Sequence, residues 1–367
     1  MKIMYLMYSF TVGGSEKLVS DICNEMARCG HSVYLYIVNN NYSNELLQFL
    51  GKNVHIELQN RSVGGGDKVK TILKISQFII KEKIDVVHCN ALTTPELLFL
   101  KPFLFPKVRI IHTVHDVGQY EKLHRWNVRY RNYICDSIVA ISESVKNDII
   151  KYGADKKKVS VVYNAINCAR FKTISNRQIH STHYAIGNVA RIMPEKKGQD
   201  ILIKAIALLK DKYPEIKCYF AGGYDDSHQA SYNELLKLVD KYELEQNIVF
   251  MGNVIDISTL LSELDIFVLP SRYEGFGISL IEAMASGIPC IASSLDGPAE
   301  IIGNDLRGIL FEVGNHYELA KGIEAIICDF NKYHHIAETA KMYVFNNFSI
   351  ETMCSRLEVI YEGTIRN

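Results

Sequence analysis

The sequence predicts an α/β protein made of two parallel-sheet domains, on three observations. Short apolar runs alternate with segments of helical periodicity along nearly the whole chain, the pattern of a sheet whose strands are joined by helices. The alternation lapses once, over residues 164–183, the candidate linker. At 367 residues the chain also exceeds what one hydrophobic core normally serves. The first series runs strand 3–8, helix 17–28 stopped by Gly30, strand 33–38, helix 69–81, strands 85–88 and 109–114, helix 128–133, and strands 137–141 and 159–163. The second runs strand 184–190, helix 201–210, strand 217–221, helix 232–242, strands 248–251 and 266–269, helix 278–286 and strand 309–311. A last helical pattern covers 349–365. The expected domains are therefore 1–168 and 169–347, with a C-terminal segment 348–367.

Apolar residues at 48% and charged residues at 22% are ordinary for a folded chain and exclude a disordered one. The nine cysteines are odd in number and contain no C-x-x-C pair, so they read as reduced thiols of a cytosolic protein, without disulfide or zinc roles. The chain opens on the strand-like K-I-M-Y-L-M-Y-S, lacking a signal peptide's basic and apolar regions, and export is not expected. The apolar stretch 97–105 is broken by Lys101 and Pro102 and is too short to span a bilayer. The net charge of zero is a cancellation: residues 1–170 hold 23 Lys+Arg against 15 Asp+Glu, leaving 18 against 26 for the remainder. A basic first half suits an anionic partner such as a phospholipid surface or a pyrophosphate-bearing acceptor; unselected surface composition is the alternative.

The most informative segment, residues 265–289, reads D-I-F-V-L-P-S-R-Y-E-G-F-G-I-S-L-I-E-A-M-A-S-G-I-P. An apolar strand leads into a turn containing Gly275 and Gly277, then into a helix that stops at Gly287 with Pro289 just beyond. A helix that starts directly after a parallel strand directs its free N–H groups into the crevice at the strand's carboxyl edge, where anions bind. Glu274 and Glu282 can face that crevice and accept hydrogen bonds from sugar hydroxyls; a solvated loop residue and an exposed helix residue are the plain alternative. The implied ligand is a phosphate carrying a sugar. In R-I-M-P-E-K-K-G, Arg191 and Lys197 stand at another strand's carboxyl edge, two cations suited to a diphosphate or to a solvated basic loop, with Lys196 facing solvent. Gly222 and Gly223 follow strand 217–221, either for close approach of a ligand or as an ordinary turn. Asp225 and Asp226 lack D-x-D spacing, and no metal is expected.

The run E-G-F-G-I-S-L-I-E-A-M-A-S-G-I-P, with glutamates eight apart, resembles the two-glutamate signature of retaining nucleotide-sugar glycosyltransferases, specifically glycosyltransferase family 4. R-I-M-P-E-K-K-G resembles the family's G-R-x-x-x-x-K-G, with Ala190 replacing glycine, and V-G-G-S-E resembles its G-G-x-E loop. I-H-T-V-H-D carries the family's histidine at His115, leaving His112 to the core, and Asn164 matches the P-N-G-V-D hinge, with Tyr163 and Ala165 departing from it. The resemblance implies the GT-B fold: two facing Rossmann-like doubly wound domains with a cleft between them, and a C-terminal helix crossing back to the first. It implies that Arg191 and Lys197 stabilise the departing diphosphate and that the amides of Ile278, Ser279 and Leu280 cradle it. Glu282 would hold the ribose, Glu274 the transferred sugar, and Val254 the base, while Gly222 admits the ligand. Gly13 and Gly14 would approach the donor phosphate, Glu16 the acceptor, and His115 the transferred sugar beside the acceptor.

The implied activity is retaining transfer of a hexose or N-acetylhexosamine from a nucleotide-diphosphate sugar, UDP-sugar favoured, to a hydroxyl of a saccharide acceptor in surface-polysaccharide biosynthesis, with no metal or other cofactor. A nucleotide-sugar epimerase of the same fold and a non-catalytic nucleotide-sugar-binding subunit are the alternatives. A polyprenyl-pyrophosphate-linked acceptor and a cytoplasmic enzyme, peripheral on the inner membrane face, fit the basic first half; no nucleic-acid motif is present. The stretch L-H-R-W-N-V-R-Y-R-N-Y, residues 123–133, sets Arg125, Arg129 and Arg131 among aromatics, as at a membrane interface or on a packed helix with basic outer positions.

Overall fold

The computed structural model describes every residue except 12, 65, 172–183, 225–227 and 364–367. The chain forms two compact units, residues 1–165 with the C-terminal helix Ile350–Glu362, and residues 166–349. In the first, β1 (Lys2–Met7), β2 (Ser32–Asn39), β3 (Val54–Arg61), β4 (Val86–Cys89), β5 (Arg109–Val114), β6 (Ser137–Ala140) and β7 (Val159–Val161) form one parallel sheet in the order β3-β2-β1-β4-β5-β6-β7. In the second, β8 (Tyr184–Val189), β9 (Ile216–Ala221), β10 (Ile248–Gly252), β11 (Ile266–Leu269), β12 (Cys290–Ser293) and β13 (Ile309–Phe311) form another, ordered β10-β9-β8-β11-β12-β13. Each sheet winds outward in both directions from its first strand. The winding reverses between β1 and β4 and between β8 and β11, and crevices at the carboxyl ends of such strand pairs are where doubly wound sheets bind ligands.

These are the two Rossmann-like units the alternation predicts, and their central strands show why it was readable. Ile3 to Met7 and all of β11 are buried, as continuous apolar runs covered by helices on both faces must be. In the second unit, helix Gln199–Leu209 sets Ile201, Leu202 and Ile206 into a core shared with Phe220 and Val268 of the sheet and Ile323 of helix His316–Cys328. Strands β3 and β12 are not marked by the pattern. β3 is an edge strand whose sequence, V-H-I-E-L-Q-N-R, is mostly exposed or half-buried, and β12 is four residues long and starts directly after Pro289. Of the candidate linker, residues 172–183 lie outside the described residues, while Ile166 bridges to Ser349 within the second unit.

The helix Ile350–Glu362 completes the first unit through a buried polar chain. The Tyr361 hydroxyl lies 3.0 Å from the Tyr5 hydroxyl and 2.6 Å from His88 Nδ1, and His88 Nε2 lies 2.6 Å from Thr113 Oγ1. One consistent proton assignment has Nε2–H donating to Thr113, Nδ1 accepting from Tyr361, and Tyr361 accepting from Tyr5. Burial pushes the His88 pKa from 6.5 down to about 3, so the ring is neutral. At the helix surface, Glu358 accepts from His31 Nε2 at 2.7 Å.

Two outcomes are expected. Tyr361→Phe strands the His88 and Tyr5 partners and should lower the unfolding free energy by about 1–3 kcal/mol in urea titrations. As pH falls below 6.5, an unfolded histidine takes up a proton that folded His88 refuses until about pH 3. Stability should therefore drop through that window by up to about 1.4 kcal/mol per pH unit from this histidine alone, and His88→Asn should flatten the slope.

Candidate functional site

The second unit gathers its candidate residues where its winding reverses. Arg191 and Lys197 follow β8, and Glu274 to Glu282 follow β11. The two loops touch at the backbone. Gly198 has φ +68° and closes the short helix Pro194–Lys197; a Cβ there would sit 1.9 Å from the carbonyl oxygen of Pro270, just past β11. The Lys196 carbonyl accepts from the amides of Arg272 (2.7 Å) and Tyr273 (3.1 Å). The Arg272 guanidinium donates to both Asp200 oxygens, at 2.6 and 2.9 Å, and to the Pro194 carbonyl at 2.6 Å.

This scaffold sets Lys197 Nζ 2.9 Å from Glu274 Oε2, and the same oxygen accepts from Ser271 Oγ at 3.2 Å. Both bonds fall on Oε2, so among the described residues Oε1 is left to meet a ligand. Beside the pair, helix Ile278–Ala285 begins at Gly277, whose φ of +110° and missing side chain leave the first amides without a side-chain cap. The amides of Ile278 and Ser279 lie in that first turn, where no intrahelical acceptor exists, and their positive dipole end favours an anion. The Leu280 amide already bonds to the Gly277 carbonyl at 3.1 Å. Glu282 is buried one turn along the helix, whereas Arg191 and Lys196 are exposed and Val254 is half-buried. What presses on Gly222 is the chain's own backbone: at φ +149°, its Cβ would lie 2.0 Å from the Ala190 carbonyl oxygen. Asp225 and Asp226 lie outside the described residues, and among the described ones no three metal-ligating side chains converge.

In the first unit, Gly13 is the extended N-cap of helix Gly14–Arg28, again without a side-chain cap, and Glu16 in its first turn accepts from Ser15 Oγ at 2.7 Å. His115 stands just past β5, half-buried, with Nε2 shielded from water and unpartnered among the described residues. Burial pushes its pKa to about 4, so it is a neutral hydrogen-bonding group at pH 7. His112 is fully buried in β5 and stacks on Tyr120; burial, and then the Arg131 charge, holds its pKa well below the usual histidine range.

One expectation needs correcting. Arg131 does not share a surface with Arg125 and Arg129: it is 0% exposed, ion-paired to Glu96 at 2.7 Å and donating to the Leu92 carbonyl at 2.5 Å. On helix Arg125–Ile134, Val128, Arg131 and Ile134 recur every third residue and form the inward stripe. Sequence reading also overlooked Ser271, Arg272 and Asp200. Arg272 and Asp200 are 72 residues apart, and nothing local marks them as partners.

Residues 12–170 match the family model of Glycosyltransferase Family 4, and residues 170–343 that of glycosyl transferases group 1. The chain belongs to glycosyltransferase family 4. Among curated relatives of this glycosyltransferase, the N-acetyl-alpha-D-glucosaminyl L-malate synthase of Bacillus anthracis is 24% identical, over 97% of this chain and 96% of the relative. The capsular polysaccharide biosynthesis glycosyltransferase CapM of Staphylococcus aureus is 25% identical, over 88% of each. In fold, the family 4 chain is similar to Anabaena HepE solved with UDP, at a TM-score of 0.85 and 23% identity, covering 99% of this chain and all of that one. The GT-B sucrose-phosphate synthase of Thermosynechococcus elongatus follows at 0.80 and 18%, over 99% of each chain.

The loop contact yields a contrast between two glycines. Gly30 has φ +88° and open space around its Cβ position, so Gly30→Ala should cost only the left-handed penalty, about 1–2 kcal/mol. Gly198→Ala adds a collision with the Pro270 carbonyl and should cost clearly more in urea unfolding; equal costs would show that the loops part freely.

Proposed function

We propose that this enzyme transfers a hexose or N-acetylhexosamine from a UDP-sugar to a hydroxyl of a lipid-linked saccharide, with retention at the anomeric carbon. The observation that carries the reading is the Lys197–Glu274 pair beside the uncapped start of helix Ile278–Ala285. A cation and uncapped amides, which suit a diphosphate, stand there beside a carboxylate, which suits sugar hydroxyls, and that supports the reading. Relatives support the donor and acceptor classes: a UDP-Gal:alpha-D-GlcNAc-diphosphoundecaprenol alpha-1,3-galactosyltransferase of Escherichia coli is 21% identical over 82% of this chain, and HepE has been solved with UDP-glucose.

On this reading the bond from the anomeric carbon to the diphosphate oxygen breaks while the acceptor oxygen bonds to the same face, its proton passing to the departing phosphate. Arg191, Lys197 and the amides of Ile278 and Ser279 stabilise the charge that develops on the leaving group. Glu274 orients the sugar, Glu282 holds the ribose, Gly13 and Gly14 approach the donor phosphate, and Glu16 contacts the acceptor. Neutral His115 accepts or donates a hydrogen bond at a sugar hydroxyl without bringing a charge to the anomeric centre. With two side-chain cations and a helix N-terminus assigned to the diphosphate, the reaction on this reading needs no metal ion.

UDP at about 100 times its dissociation constant should stabilise the protein by roughly 2.7 kcal/mol, seen as a raised melting temperature, and Lys197→Ala and Glu282→Ala should lose most of that shift. Glu274→Gln should lower kcat by about 10²–10³ with the fold intact. Chelation with EDTA should leave the rate unchanged. An α-configured product from an α-linked donor, read from the anomeric proton coupling, tests retention. Absence of any nucleotide shift would remove the donor-site assignment.

A further inference from the structure

We propose that Lys197 changes partners in each catalytic cycle, leaving Glu274 for the diphosphate when the donor binds and returning to Glu274 once the sugar has gone, so that the ion pair helps to expel the nucleotide product. The exchange rests on the donor-site reading above and adds to it a role in product release. Lys197 and Glu274 hold each other at the groups that a donor would use. The ammonium lies 2.9 Å from Glu274 Oε2, with the lysine side chain 27% and the glutamate side chain 16% exposed, so water screens the pair only in part. The anion site is adjacent. The position a Cβ would take at Gly277 is 3.9 Å from Glu274 Cγ, and the uncapped helix Ile278–Ala285 starts at the next residue.

The geometry lets the two side chains part with little disturbance. Glu274 Oε2 also accepts from Ser271 Oγ at 3.2 Å, and Ser271 is fully buried just past β11, so the carboxylate keeps an anchor when the ammonium leaves. Lys197 carries three rotatable donors on a flexible four-carbon stem, while its backbone is fixed in the short helix Pro194–Lys197 that Gly198 closes. Only the lysine side chain has to move. Each group also has a partner on both sides of the exchange. Before the donor binds, Oε2 holds Lys197 and Ser271. With the donor in place, neighbouring sugar hydroxyls donate to Oε1 and Oε2, Ser271 stays, and the ammonium meets diphosphate oxygens beside the amides of Ile278 and Ser279. After transfer the sugar no longer covers Glu274, and Lys197 is a cation within reach of it. Its return takes a charge-assisted bond from UDP, which loosens the product and leaves the intact donor held.

Calorimetric titration of UDP into the native chain and three variants reads the exchange, with ligand-free melting temperatures as the check on folding. Glu274→Gln keeps the shape of the side chain and removes its charge. It should bind UDP about three- to tenfold tighter, the range set by a partly exposed ion pair that no longer competes. Lys197→Met should bind more weakly, and adding Glu274→Gln to it should regain less than about twofold, because no cation is left to release. A crystal structure with UDP should place Lys197 Nζ on a diphosphate oxygen and beyond ion-pair distance of Glu274, about 4 Å. Unchanged or weaker UDP binding by Glu274→Gln would overturn the exchange. So would tightening of equal size with and without Lys197, the mark of direct repulsion between carboxylate and phosphate, or a UDP complex in which Lys197 bridges both groups. Failure of the native chain itself to bind UDP would remove the donor-site reading and the exchange with it.

Discussion

Two loops leaving neighbouring strands meet backbone to backbone at Gly198 and Pro270, and the order of the candidate site in the second unit depends on that meeting. No side chain fits between them, and the restraints around the contact are two amides on the Lys196 carbonyl and one arginine that clasps Asp200 and the Pro194 carbonyl together. Such restraints have little freedom to lose, so Lys197 and Glu274 are already in register before any ligand arrives. Electrostatic stabilisation is effective when its charges are fixed in advance, because no reorganisation is then required as the reaction proceeds.

The first unit handles charge differently. Its surface carries the excess of lysine and arginine, yet the three histidines of β4, β5 and the turn after β5 are all held neutral by burial. A positive exterior and an uncharged imidazole at the strand end are compatible because the rings are shut away from water, which removes the means to solvate a proton there. His115 is then a hydrogen-bonding group that carries no charge.

How much of this was legible in the sequence varied with the range of the interaction. Buried parallel strands such as β1 and β11 announce themselves as apolar runs, and Gly277 and Gly287 mark both ends of the helix Ile278–Ala285, because these are properties of consecutive residues. β3 was illegible because an edge strand needs no continuous apolar face, and β12 because four residues after a proline carry too little pattern. The ion pair of Lys197 with Glu274 could be guessed only as two residues near one crevice; that they touch depends on Gly198, Arg272 and Asp200, which the fold brings together from distant points. Arg131 misled for the reason that charge suggests water. Helical phase placed it with Val128 and Ile134, and Glu96 made its burial tolerable.

The polar chain through Tyr5, Tyr361, His88 and Thr113 also has a bearing on synthesis. The second unit is one uninterrupted stretch, residues 166–349, and can close as soon as it has left the ribosome. The first unit is begun earlier but lacks the helix Ile350–Glu362 until the second unit has been made, so Tyr5 and His88 wait without their hydroxyl partner throughout that stretch. The unit begun earlier is completed later than its neighbour, and a nascent chain released short of Tyr361 would expose an unsealed sheet to the quality-control machinery of the cell.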